Sequence, residues 1–153
     1  MSRIKRSLVE GGYAAMQEGQ IRLKRLDDLL NGWGNHFRNH KPREYRLYMR
    51  GEMEQIEPQF AQWCSKSNYQ FALSRFSAAW RSAPEVSYKV ASILAPSRTI
   101  LAEPFIDLVS NYGARKVDSG ANLVLQISDD ESYFLNRLGD ILPTTSPLQT
   151  YLD

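Results

Sequence analysis

The apolar residues of this chain recur at intervals of three and four along most of its length, and that spacing limits the folds open to it. Leu26, Leu29, Leu30, Trp33 and Phe37 share one helix face, with Arg22, Lys24, Arg25, Asp27 and Asp28 on the charged side. Gly32 and Gly34 weaken the end of this helix by about 1 kcal/mol each relative to Ala, and Pro42 stops it. A short helix over residues 1–19 is broken by Gly11 and Gly12. Pro58 suits the start of another, which carries Phe60, Trp63 and Cys64. Asn68 can cap a further stripe of Tyr69, Ala72, Leu73, Phe76, Ala79 and Trp80.

Two capping boxes point the same way. Ser82 to Glu85 precedes Val86, Val90, Ile93 and Leu94, a stripe closed by Pro96. Ser128 to Glu131 precedes Phe134, Leu135, Leu138, Ile141 and Leu142, closed by Pro143. Between them Leu101, Phe105, Leu108, Val109 and Tyr112 form one more helical face, ended by Gly113.

The period changes in two places. In residues 44–50, Tyr45, Leu47 and Met49 alternate with Glu44, Arg46, Tyr48 and Arg50, the pattern of a half-buried strand; Glu52 to Glu57 favour helix and leave a helical alternative open. Residues 114–117 and 122–127, joined by Asp118-Ser119-Gly120-Ala121, read as a hairpin. The expected fold is α+β and predominantly α-helical, with helices packed on a C-terminal β-hairpin and a further strand near residues 44–50 as the open question. Residues 1–143 are expected to form one globular domain, and 144–153 an exposed C-terminal tail.

A chain of 153 residues can bury roughly 68–70% of its unfolded surface, so it needs no metal or disulfide to fold. Its one cysteine, Cys64, cannot form an internal disulfide, which favours a cytoplasmic setting. No apolar run approaches the ~20 residues of a membrane span, and no long apolar stretch follows the basic start, so neither membrane nor secretion is expected.

Charge is unevenly distributed. Residues 1–50 hold 11 Lys/Arg against 5 Asp/Glu, whereas residues 51–153 hold 8 against 12. The basic third suggests an anionic partner. Within it, Trp33, Phe37, Tyr45 and Tyr48 interleave with Arg38, Lys41, Arg43, Arg46 and Arg50. Cations neutralise phosphates and release counterions, and aromatic faces stack on unpaired bases. Arginine and tyrosine are equally the residues that protein interfaces favour. As a strand, residues 44–50 would place Arg46, Tyr48 and Arg50 on an exposed face and Tyr45, Leu47 and Met49 in the core. The candidate binding residues are therefore Trp33, Arg38, Lys41, Arg43, Arg46, Tyr48 and Arg50.

Catalytic motifs are absent from the sequence. His36 and His40 stand at i, i+4, a metal-gripping spacing, but the position after the first histidine is Phe37 rather than the glutamate of a zinc protease. Cys64 lies on an apolar stripe and reads as a small buried hydrophobe. Asp129, Asp130 and Glu131 read as helix-capping carboxylates rather than cation ligands. Gly32-Trp33-Gly34 falls late in a helical pattern, so it is not a phosphate loop. A winged helix over 101–127 would read DNA with Glu103 and Asp107, which are poor major-groove readers. No cofactor and no metal are expected.

The expected function is that of a non-enzymatic binding protein, an accessory factor or inhibitor docking on a protein or protein–nucleic acid assembly. Direct binding of DNA or RNA by the basic third is the alternative, an enzyme with an unobvious site the third, and a homo-oligomer is compatible with each.

Overall fold

The computed structural model describes residues 2–39, 42–85, 87–101 and 110–153. The chain divides into two compact units, Met1–Lys41 and Pro42–Tyr151. With 41% in helix and 22% in strand, the fold is α+β but not predominantly helical.

The first unit begins with α1 (Arg3–Glu10), capped by Ser2, whose Oγ accepts from the Lys5 N–H at 3.3 Å. The helix ends at Gly11, and Gly12 takes a left-handed φ of 72°. Strands β1 (Ala14–Gln17) and β2 (Gln20–Leu23) then pair antiparallel. Their two-residue turn, Glu18 and Gly19, has φ of 52° and 78°, the left-handed pair that matches strand twist. Helix α2 (Leu26–Asn39) follows, with Asp27 and Asp28 in its first turn. Among the described residues of this unit, only Ala14 and Phe37 are buried.

The second unit is built on a five-stranded mixed sheet of order β4-β5-β7-β3-β6. Its strands are β3 (Arg43–Tyr48), β4 (Ala72–Leu73), β5 (Ala91–Ala95), β6 (Arg115–Lys116) and β7 (Leu123–Ile127). The expected C-terminal hairpin does not form. β3 lies between β6 and β7 and pairs antiparallel with both, so the two segments expected to pair as hairpin arms are separated by a strand from much earlier in the chain. Asn122 fastens this insertion. Its Oδ1 accepts from the Met49 N–H at 2.8 Å and its Nδ2 donates to the Met49 carbonyl at 2.7 Å, continuing the ladder beyond β3.

β5 pairs in parallel with β7, and all five of its residues are buried. A strand covered on both faces shows a continuous apolar run rather than alternation, which is why Ile93 and Leu94 resembled part of a helical stripe. β4 forms the far edge. Its Leu73 N–H donates to the Pro143 carbonyl and its carbonyl accepts from the Thr145 N–H, so that edge is occupied. Thr144 and Thr145 are accordingly buried rather than an exposed tail.

Helix α3 (Met53–Lys66) supplies the main core, starting before Pro58 rather than at it. Ile56, Phe60, Trp63 and Cys64 pack with Leu47, Met49, Ile93, Leu123 and Leu125. The Phe60 ring meets Trp63 and Phe71 edge-on at centroid distances of 5.3 and 6.0 Å. On the other side of the sheet Leu94 packs with Ala72 and Phe134.

Besides the stripe that β5 replaces, two further expected helices are replaced. Residues 69–80 are split into β4 and α4 (Arg75–Ser82), which leaves Phe76 71% exposed. After Asp130, whose Oδ1 accepts from the Ser132 N–H, there is only a short 3-10 turn, Glu131–Phe134. Asn136 and Gly139, both at positive φ, end any helical course there and leave Leu135, Leu138 and Ile141 exposed. Two short helices, α5 (Ser97–Leu101) and α6 (Pro147–Leu152), complete the described elements. The stripe expected around Phe105 and Leu108 and the residue Val86 lie outside the described residues. No helix among the described residues is long and apolar enough to cross a membrane.

Phe60 and Phe76 separate this architecture from the helical one. Phe60→Ala is expected to cost about 3–5 kcal/mol in urea unfolding, because it empties a sealed core position. Phe76→Ala is expected to change stability by under about 0.5 kcal/mol. Comparable losses for the two variants would return Phe76 to a buried stripe.

Candidate binding face

Alternation along β3 decides where its cations stand. Leu47 and Met49 are buried and Tyr45 is half-buried, whereas Glu44, Arg46, Tyr48 and Arg50 are exposed. Successive side chains of a strand point to opposite faces, so burying Leu47 directs Arg46 and Tyr48 outward. β6 adds a residue the sequence reading did not include. Tyr48 is the register partner of Arg115, and the Arg115 guanidinium carbon lies 5.1 Å from the Tyr48 ring centroid. That is a cation–π distance. Arg46, Tyr48, Arg50 and Arg115 thus gather on an exposed stretch at the β3–β6 side of the sheet. Lys116 is exposed beside Leu47.

Glu44 is the carboxylate of this strand's outward side, and it is already engaged. It pairs with Arg75 at the start of α4. Buried Gln126, its register partner on β7, holds the same junction. With its amide oriented to suit both neighbours, Gln126 donates to Ser74 Oγ at 2.5 Å and accepts from Arg75 Nε and Nη2 at 3.1 and 3.0 Å. Arg43, Arg46, Arg50 and Arg115 have no carboxylate partner among the described residues.

Of the remaining sequence candidates, Arg43 is the one described within this unit. Arg43 opens β3 opposite Ile127 and, by alternation, belongs to the other side from Arg46. Trp33 is exposed on α2 in the first unit. The side chains of His36 and Arg38, and residues His40 and Lys41 entirely, lie outside the described structure. Arg115 could not be selected from local sequence, because its place beside Tyr48 follows from a pairing across 67 positions.

Three other sets of residues bear on chemistry. Glu57, only 3% exposed, accepts from Arg81 Nη2 at 2.7 Å and from the Tyr88 hydroxyl at 2.8 Å. Burial and the bond to Glu57 raise the Tyr88 phenol above its ordinary value, with Arg81 opposing them. Burial works against the Arg81 charge, but its bonds to Tyr88 and Glu57 outweigh this and hold it raised. The trio ties α3 to α4 and to the approach to β5, and a raised phenol is a poor base at neutral pH. Cys64 is sealed in the core, where burial pushes its thiol far above the ordinary range. Asp129 and Asp130 are used as caps; hydrogen bonds from Ser97 and Ser132, respectively, hold their carboxyls below the usual value. Among the described residues no cluster of three or more His, Cys, Asp or Glu is placed to hold a metal ion.

No protein-family model matches the chain, no curated protein matches it, and no solved structure matches it.

The thiol offers a direct check on this packing. Cys64 is expected to resist an aromatic disulfide reagent at pH 8 in the native protein and to react fully in denaturant. Rapid native reaction would place the thiolate at an accessible surface.

Proposed function

We propose that this chain is a non-enzymatic binding protein, an accessory factor or inhibitor, that docks on a protein or protein–nucleic acid assembly through the outward face of β3 and β6. The observation that carries this reading is that Arg46, Arg50 and Arg115 stand with Tyr48 on one exposed face and none is paired with a carboxylate among the described residues. Small molecules are held in concave, mostly apolar sites that enclose them. This site is a strand face, a shape suited to a larger partner. Arginine and tyrosine supply interface anchors because a rigid aromatic body and a planar five-donor fork make large contacts at low entropic cost.

A second reading, direct binding of DNA or RNA, is favoured by the engagement of Glu44. With that carboxylate tied to Arg75, the outward side of β3 presents net positive charge. Phosphates would then replace the missing counter-charges, and Tyr48 could stack on an unpaired base.

One experiment weighs both. The immobilised chain and its R46E/R50E/R115E variant are mixed with lysate at moderate salt, with and without nuclease, after melting curves confirm that both are folded. The main reading expects a discrete captured protein that survives nuclease and is lost in the variant. Capture that vanishes with nuclease, together with a salt-steep shift of a single-stranded oligonucleotide, supports the second reading. Equal capture by the variant removes this face from either account.

A further inference from the structure

A second cationic surface lies elsewhere in the larger unit and rests on different residues. A groove of about 1050 Å³ runs between α3, residues 68–71 and the 137–143 loop. Lys66, Arg98 and Arg137 line it against one carboxylate, Asp140. None of the three cations forms a close salt bridge among the described residues; Arg98 lies in the field of the Asp129 carboxylate, while Lys66 and Arg137 have no such neighbour among those residues. Arg137 is held in place by its own hydrogen bond, Nη1 donating to the Phe71 carbonyl at 2.9 Å, and its other N–H donors have no partner among the described residues.

The apolar lining is equally specific. Ile141 is 86% exposed, beside Leu142 and Pro143. These side chains sit in a loop because Asn136 and Gly139 take left-handed φ, so the apolar stripe that a helix would have buried is left at the groove's edge. Aliphatic residues beside unpaired cations match an occupant that carries both carboxylates and apolar side chains. Bases require flat aromatic platforms, and the aromatic residues lining this groove, Tyr69 and Phe71, are already packed on Trp63 at 5.5 Å and on Phe60 at 6.0 Å.

We infer that this groove receives an extended acidic peptide segment of a partner protein, its carboxylates meeting Lys66, Arg98 and Arg137 and an apolar side chain resting on Ile141 and Leu142. The site is separate from the β3–β6 face and does not depend on that face binding anything.

The test uses the full chain and a fluorescein-labelled eight-residue peptide of alternating glutamate and leucine, followed by anisotropy at two salt concentrations. Saturable binding is expected, weakened by salt, and absent for the matching lysine–leucine peptide. K66E/R98E, which removes no side-chain hydrogen bond made among the described residues, is expected to weaken it about tenfold or more, a loss set by like charge in place of opposite charge. I141S is expected to weaken it as well, while R46E/R50E/R115E leaves it unchanged. No saturable binding, full affinity in K66E/R98E, or loss only in R46E/R50E/R115E overturns the assignment. Displacement of the peptide by a single-stranded oligonucleotide, itself sensitive to K66E/R98E, would give the groove to nucleic acid instead.

Discussion

The insertion of β3 between β6 and β7 is the constraint from which the rest of the larger unit follows. Pairing on both edges fixes which way β3 faces. Leu47 and Met49 must enter the core formed with α3, so Arg46 and Tyr48 must leave it. A slip of one residue would exchange the two sets and bury arginines without partners, which is prohibitively costly. The register is therefore held by hydrophobic burial on one side and by the cost of charge desolvation on the other. Asn122 adds a local lock, since its amide supplies the donor and acceptor that the ladder lacks at Met49.

Charge pairing elsewhere sharpens the contrast with this face. Arg81 is bound to buried Glu57, and Arg75 to Glu44, so those cations are committed to holding α4 in place. The arginines of β3 and β6 are not used in this way. An exposed arginine retains its hydration and costs the fold little, yet it can exchange that hydration for a carboxylate or phosphate on binding. The arrangement separates cations that stabilise the protein from cations available to a partner, and the basic balance of residues 1–50 gave only a blurred view of that division.

Where the sequence spoke through local periodicity, much was legible. The alternation over 44–50 placed Arg46, Tyr48 and Arg50 outward and Leu47 and Met49 inward, and the stripe from Leu26 to Phe37 marked α2. What local spacing could not carry was pairing between distant segments. Residues 114–127 had every mark of a hairpin, but β3 offered more: a longer ladder and two apolar residues for the core. The run Ala91–Ala95 is buried on both faces and so lost its strand alternation. Phe134, Leu138 and Ile141 kept helical spacing across Asn136 and Gly139, whose backbones are left-handed. The β1–β2 hairpin was hidden because Glu18 is an unusual residue for the first place of a tight left-handed turn, where Asn and Asp are favoured. Arg115 joined the candidate face only through register.

Cross-strand nuclear Overhauser contacts test the central insertion most directly. The account predicts contacts from the backbone of Leu47 to both Lys116 and Leu123, and from the Tyr48 ring to the Arg115 side chain. Direct backbone contacts between residues 115–117 and 122–125, with none from Leu47 to either segment, would restore the hairpin and dissolve the shared arginine–tyrosine face.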